Sequence, residues 1–168
     1  MNKTDILNRL FLAMIRFDAG DPKRIQHFTK VHSYARLIAQ SEGLDEDTTF
    51  TLEAAAYVHD IGIHIAEEKY GYQNGKLQEQ EGPAAARKLM EPLGFSEEVI
   101  SRVEFLVGHH HTYKNIDSAD YQILVEADFL VNMFEDDEDI KHVRAVRDKI
   151  FKTRTGTEII NAMWGLDA

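Results

Sequence analysis

The 168-residue sequence contains no cysteine. This absence excludes disulfide bonds and thiolate metal ligands, so any metal ion has to be bound by histidine and carboxylate side chains. No apolar run is long enough to cross a bilayer, and the N-terminus lacks the pattern of a signal peptide. We therefore expect a cytoplasmic protein that has no membrane partner.

Positive charge is scarce as well. The chain has 19 Lys and Arg residues against 29 Asp and Glu residues, which gives a formal net charge of −10 at pH 7. Because Lys and Arg contacts dominate the affinity for DNA and RNA, binding to a nucleic-acid duplex is not expected. A small phosphorylated substrate remains possible, since a bound metal ion can supply positive charge locally.

The pattern of apolar residues predicts helices along the whole chain. Apolar residues recur at spacings of three and four, and no stretch alternates with the period of two that is typical of a strand. Gly62 interrupts the pattern, and residues 70–76 are interpreted as a loop. The sequence predicts one all-α domain over residues 1–168, a compact bundle of about seven to eight helices. Its first helix is apolar enough to pack on a partner, so a homodimer is possible. The predicted helices cover residues 5–18, 22–42, 45–59, 81–93, 96–109, 120–134 and 137–151, with a short one after 156.

Histidine and aspartate occur on predicted helix faces that are otherwise apolar. His27 shares a face with Val31, and Asp128 shares one with Leu124. An ionised carboxylate on such a face costs several kcal/mol unless it is paired or binds a cation. Taken alone, such an aspartate is more often a buried carboxylate that is bonded to a helix N-terminus, a lysine or a tyrosine. Together, the imidazole and carboxylate groups of four residues suit one divalent Fe, Mn, Co, Ni or Zn ion: His27, His59, Asp60 and Asp128.

Two segments resemble the HD superfamily of metal-dependent phosphohydrolases. They are Arg24-Ile25-Gln26-His27, followed by Val31 and Ala35, and Ala54-Ala55-Ala56-Tyr57-Val58-His59-Asp60-Ile61-Gly62. The resemblance covers roughly residues 22–134. It implies an HD-type helical bundle in which the ligands follow the order His, His-Asp and a distant Asp, here Asp128. His32 is an alternative first ligand, but the spacing of His27 to Val31 and Ala35 matches the family's first motif better.

The resemblance also raises the question of a second metal ion. Members that bind two ions carry further ligands between the His-Asp pair and the last Asp. The corresponding segments here are Glu81-Gly82-Pro83 and His109-His110-His111. Glu81 stands where those members usually have histidine, so it is a candidate ligand or base. His110 is the best candidate ligand in the histidine run and His111 the second, and the number of ions, one or two, stays open.

The activity that the resemblance implies is hydrolysis of a small phosphorylated metabolite by metal-activated water, with nucleotides as the commonest substrate class of the family. Asp60 would be a ligand and, with two ions, a bridge between them. Glu81 and His110 are the candidates for proton transfer, together with the two histidines that flank His110. Arg24 and Lys76 are the candidates for contact with the phosphate. A di-iron oxygenase of the same superfamily and a non-catalytic sensor of metal or nucleotide are the alternatives.

Overall fold

The chain is all-helical in the range that the computed structural model describes, residues 2–167. This range contains nine α-helices, one short 3-10 helix and no β-strand, which confirms the predicted fold class. None of its helices has the length and apolarity needed to cross a membrane. The α-helices are α1 (Lys3–Phe17), α2 (Pro22–Ser41), α3 (Glu46–Val58), α4 (Gly62–Tyr70), α5 (Gly75–Met90), α6 (Glu97–Val107), α7 (Ala119–Glu135), α8 (Ile140–Ile150) and α9 (Arg154–Trp164).

Most helices begin at a residue whose side chain accepts a hydrogen bond from a backbone N–H in the first turn. Such caps satisfy donors that have no partner inside the helix, which is why Ser, Thr, Asp and Asn are preferred there. Pro22 follows its cap directly, a position where proline costs no hydrogen bond. The capping residues are Asn2, Asp21, Asp45, Asn74, Ser96, Asp139 and Thr153.

Helix α3 lies at the centre of the bundle and packs against α1, α2, α6 and α7. Every residue from Thr49 to Val58 is buried. Three consecutive alanines, Ala54 to Ala56, let the neighbouring helices approach closely, and all three are fully inaccessible to solvent. The C-terminal end of α3 is therefore held in the interior, and the His-Asp pair that follows it is placed there as well.

Helix α4 and the first part of α5 were not predicted from the sequence. The glycine at position 62 was interpreted as a break, but it begins α4. A Cβ atom on Gly62 would lie 2.8 Å from the Gln78 carbonyl oxygen and 2.9 Å from the Gly82 nitrogen. Gly62 therefore marks the close contact of α4 with α5. The actual loop between them is shorter than predicted, because Gly71 ends α4 with a positive φ of 79° and Asn74 caps α5.

Candidate metal centre

Three segments bring the four predicted ligands together in the interior. His27 lies in α2, His59 and Asp60 follow α3, and Asp128 lies in α7. His27 Nε2 is 3.1 Å from Asp128 Oδ1 and 3.2 Å from Asp60 Oδ2. His59 Nε2 is 3.3 Å from Asp128 Oδ1 and 3.5 Å from Asp60 Oδ2. Two imidazoles and two carboxylates thus converge on one point.

A third histidine, His110, follows α6, and hydrogen bonds hold the outward-facing ring nitrogens of His59 and His110 in place. His59 Nδ1 lies 2.9 Å from the Ala56 carbonyl oxygen, and His110 Nδ1 lies 2.8 Å from the Val107 carbonyl oxygen. A carbonyl oxygen only accepts hydrogen bonds, so in both rings Nδ1 carries the proton. The lone pair is then on Nε2, which faces the centre. Metal-binding histidines are typically fixed in this way.

The inward-facing nitrogens lack suitable donors. The Nε2 atoms of His27 and His59 are only 3.2 Å apart, and two lone pairs at that distance repel each other unless a cation or proton lies between them. His110 Nε2 is buried without a hydrogen bond, although Asp60 Oδ1 is 3.3 Å away. These atoms fit a divalent cation, which accepts lone pairs from imidazole and carboxylate together.

Asp60 connects two groups of possible ligands. Its Oδ2 atom faces His27 and His59, whereas its Oδ1 atom faces His110. The first group of possible ligands is His27, His59 and Asp60, and the second is Asp60, His110 and His111. In each group, one nitrogen or oxygen atom per residue lies within 4.8 Å of the others. The Asp60 carboxylate therefore belongs to two groups of side chains, each of which could hold a metal ion.

The electrostatics of the centre favour positive charge. Burial by itself would lower the pKa of His27, but hydrogen bonds to the carboxylates of Asp128 and Asp60 outweigh it and raise this pKa to about 10. Burial would raise the pKa of both aspartates, yet the neighbouring imidazoles hold the pKa of Asp60 and of Asp128 well below the usual range. The centre therefore keeps two buried carboxylates ionised and stabilises a cation between them.

Arg24, a predicted phosphate contact, lies at the edge of this centre. Its Nη1 atom donates a hydrogen bond of 2.9 Å to Asp60 Oδ2, and its side chain is 19% exposed. A guanidinium group at this place can bind an anion while it stays next to the ligands. Lys76 is exposed in the first turn of α5, two residues before Gln78.

Glu81 is directed elsewhere. Its carboxylate accepts hydrogen bonds from Tyr70 Oη at 2.7 Å and from Lys69 Nζ at 3.1 Å, both on α4, and it belongs to neither group of possible ligands. Two other α5 residues contact the histidine run. Gln78 Oε1 lies 2.7 Å from His111 Nε2, and Glu79 Oε1 accepts a hydrogen bond of 3.0 Å from the His111 backbone N–H. Gln78 was not predicted as a site residue, because the start of α5 was not recognised from the sequence.

His32 also lies outside the centre. Its Nε2 atom is 2.9 Å from Glu53 Oε1, and its ring stacks on Tyr57 with centroids 4.0 Å apart. The structure thus brings His27 to the other ligands, and His32 packs between α2 and α3.

Two further residues that contact the ligands were missed. Asn132 Nδ2 donates to Asp128 Oδ1 at 2.9 Å, and Glu135 Oε2 lies 3.1 Å from His27 Nδ1. They follow Asp128 by four and seven residues, so all three lie on one face of α7. That spacing was the available signal, and the sequence analysis did not use it.

Comparisons with known proteins agree with this geometry. The family model of the HD domain matches residues 24–153. Among solved structures, the chain is similar to a predicted HD superfamily hydrolase from an uncultured Thermotogales bacterium. The identity is 24%, the alignment covers 96% of this chain and 84% of the other, and the TM-score is 0.63. No curated protein matches the chain.

Proposed function

The chain belongs to the HD-domain family, and from this premise we propose that it is a metal-dependent phosphohydrolase that acts on a small phosphorylated metabolite, with nucleotides as the first class to test. One observation carries the proposal: three buried imidazoles direct Nε2 towards two buried carboxylates, while their Nδ1 atoms are anchored outside the centre. Structural histidines do not need this arrangement, whereas a metal centre does.

The residues that would hold an ion fall into two sets that share Asp60. His27, His59, Asp60 and Asp128 form the first set, and His110 and His111 complete the second with Asp60. A bound divalent ion would lower the pKa of a coordinated water and polarise a phosphoryl oxygen. Fe, Mn, Co, Ni and Zn suit this mixture of nitrogen and oxygen ligands.

The chain's own side chains would then orient the phosphate and complete the ligand set. Arg24 keeps one guanidinium nitrogen on Asp60 and can present others to a phosphate oxygen. Lys76 is exposed on the same stretch of α5 as Gln78 and can approach an anionic substrate. His111 is half-buried, and burial, then the nearby His110, lower its pKa to about 4. It is therefore neutral at pH 7, the form in which an imidazole binds a metal ion.

The test is phosphate release from a panel of nucleotides and sugar phosphates. Each substrate is incubated with Mn, Co, Ni, Fe or Zn, and the wild type is compared with Asp60→Ala and with the exposed control Asp136→Asn. We expect metal-dependent release by the wild type and the control, and none by Asp60→Ala.

One result contradicts the proposal, and two further measurements then choose between the alternatives. If protein shown to be folded and metal-loaded releases no phosphate from any substrate, the hydrolase is wrong for these classes. Consumption of O2 by an iron-loaded sample would then favour the oxygenase, and tight nucleotide binding without turnover would favour the sensor.

A further inference from the structure

Glu135 is the last residue of α7, and its side chain is directed into the protein. The side chain is 9% exposed, and its Oε2 atom lies 3.1 Å from His27 Nδ1. The other carboxylate oxygen, Oε1, forms an ion pair of 2.9 Å with Lys30 Nζ. Burial of this carboxylate is compensated by the Lys30 ammonium group on one side and by the His27 ring on the other.

The contact distinguishes His27 from the other two histidines that face the centre. The Nδ1 atoms of His59 and His110 are anchored by neutral backbone carbonyl groups. His27 Nδ1 is anchored by a charged carboxylate instead. A carboxylate withdraws the Nδ1 proton more strongly than a carbonyl group does, so it makes Nε2 of the same ring a better electron donor. His27 should therefore be the strongest of the three imidazole ligands.

The same contact joins the two helices that supply ligands. Lys30 follows His27 by three residues on α2, while Glu135 follows Asp128 by seven residues on α7. The ion pair between Lys30 and Glu135 holds the Glu135 carboxylate in place. The contact of this carboxylate with His27 Nδ1 thereby fixes the rotation of the His27 ring relative to Asp128.

We propose that Glu135 is a positioning residue of the metal centre, which orients His27 and strengthens it as a ligand. The proposal rests on the proposed metal centre but is independent of the substrate. It goes beyond the proposed centre because Glu135, which would not contact a metal ion itself, would still determine how tightly the ion is bound.

The experiment measures metal affinity by competition with a chromogenic chelator, using Co²⁺ and Zn²⁺ on metal-free protein. We expect Glu135→Ala to weaken the affinity by roughly 10- to 100-fold, the range typical for loss of such outer contacts. Glu135→Gln should lose less, because its amide oxygen still accepts from Nδ1 but carries no charge. The matched control is Asp136→Asn, which removes a carboxylate charge at the next, exposed position and should bind as the wild type does.

Two further measurements separate positioning from a merely structural role. The absorption bands of bound Co²⁺ should shift in Glu135→Ala, because the donor strength of His27 changes. The rise in unfolding temperature on adding metal should shrink in Glu135→Ala, since weaker binding stabilises less. A loss of stability that is equal with and without metal, at unchanged affinity and spectrum, would overturn the proposal.

Metal binding by the wild type distinguishes a failure of the role of Glu135 from a failure of the metal centre. If the wild type binds metal and Glu135→Ala binds it equally well, only the role of Glu135 is wrong. If the folded wild type binds no divalent ion, the metal centre itself is wrong, and the role of Glu135 with it.

Discussion

Helix α7 carries two buried carboxylates only two residues apart, and the fold stabilises them in different ways. Glu126 is 0% exposed and Asp128 is 4% exposed. Because successive residues of an α-helix are about 100° apart, the two side chains leave nearly opposite sides of α7. Glu126 faces the segment that begins α9, whereas Asp128 faces α2 and the end of α3.

The Glu126 carboxylate is stabilised by uncharged donors. It accepts hydrogen bonds from the backbone N–H groups of Lys152 and Thr153 at 2.7 and 2.9 Å, from Thr153 Oγ1 at 2.5 Å and from Gln122 Nε2 at 2.8 Å. Three of these donors, on Lys152 and Thr153, precede α9, where a negative charge is favoured by the helix dipole. With four donors, this carboxylate needs no cation.

The Asp128 carboxylate has a different set of neighbours. Asn132 supplies one uncharged donor, and the other close groups are the Nε2 atoms of His27 and His59. The comparison shows that burial of a carboxylate does not by itself identify a metal ligand. The two carboxylates differ in the kind of group that faces their oxygens.

The largest expected effect comes from removing each charge in turn, with Asp128→Asn and Glu126→Gln as a matched pair. Asp128→Asn should reduce phosphate release by about 1,000-fold or more, because a metal ion contributes several kcal/mol to transition-state stabilisation. Glu126→Gln should keep the activity but lower the free energy of unfolding by about 2 kcal/mol, since an amide cannot accept from all four donors. Activity assays and urea unfolding, each with and without metal, measure both effects.

The contrast between Glu126 and Asp128 is tested by the effect of added metal on the unfolding temperature of the two variants. Added metal should raise the unfolding temperature of Glu126→Gln as much as that of the wild type, and that of Asp128→Asn little. Equal metal-induced increments in the two variants would show that Asp128 is not a ligand.

A smaller effect tests the Glu126 side of the comparison through Gly156. A Cβ atom at this position would overlap Glu126 Oε2 and lie 2.7 Å from Thr153 Oγ1. We expect Gly156→Ala to lower the free energy of unfolding by about 2 kcal/mol, the usual scale for overpacking in a core, as measured by urea unfolding.

A double-mutant cycle provides the control. In a Glu126→Ala background the overlapping carboxylate is gone, so Gly156→Ala should cost less than half as much. Strictly additive effects would mean that the glycine is required for another reason.

The smallest effect concerns Asp18, a third buried carboxylate, which ends α1 and is 7% exposed. Its closest ion-pair contact is His64 Nε2 at 3.8 Å, and burial raises the pKa of Asp18 from 3.8 to about 6. The folded state therefore binds this proton more tightly than the unfolded state. The protein is most stable while Asp18 is protonated, and it loses this stability as the pH rises from 3.8 through about 6. Asp18→Asn should gain about 1 kcal/mol at pH 8 and almost nothing at pH 4.

The measurement is urea unfolding of both proteins across this pH range. The control is Asp136→Asn, because Asp136 also ends a helix but is exposed, and its effect should not depend on pH. A gain for Asp18→Asn that is equal at pH 4 and pH 8 would contradict the role of burial.

The sequence predicted the helical fold correctly and singled out the four residues that the structure brings together, both for a local reason. Helical periodicity and caps are set by neighbouring residues, and His27 and Asp128 stood out because they interrupt apolar faces. The resemblance then added the order of the ligands. Helix α4 was missed because Gly62 signals two structures, a helix break and a close helix contact, and only the position of α5 distinguishes them.

The immediate surroundings of the centre depend on contacts between distant segments. Glu81 and Gln78 lie three residues apart on α5, yet Glu81 bonds to Tyr70 on α4, and Gln78 reaches His111. No local pattern distinguishes these directions, because the rotation of α5 is set by its packing on α4 and α6.

By itself, the sequence determined that this protein is all-helical and that His27, His59, Asp60 and Asp128 are its candidate ligands, because both follow from periodicity, residue chemistry and a motif. Only the tertiary structure decided that Glu126 is surrounded by four uncharged donors while Asp128 faces two imidazoles. The physical reason is that the energy of a buried charge depends on the donors around it, and those donors come from parts of the chain that only folding brings together.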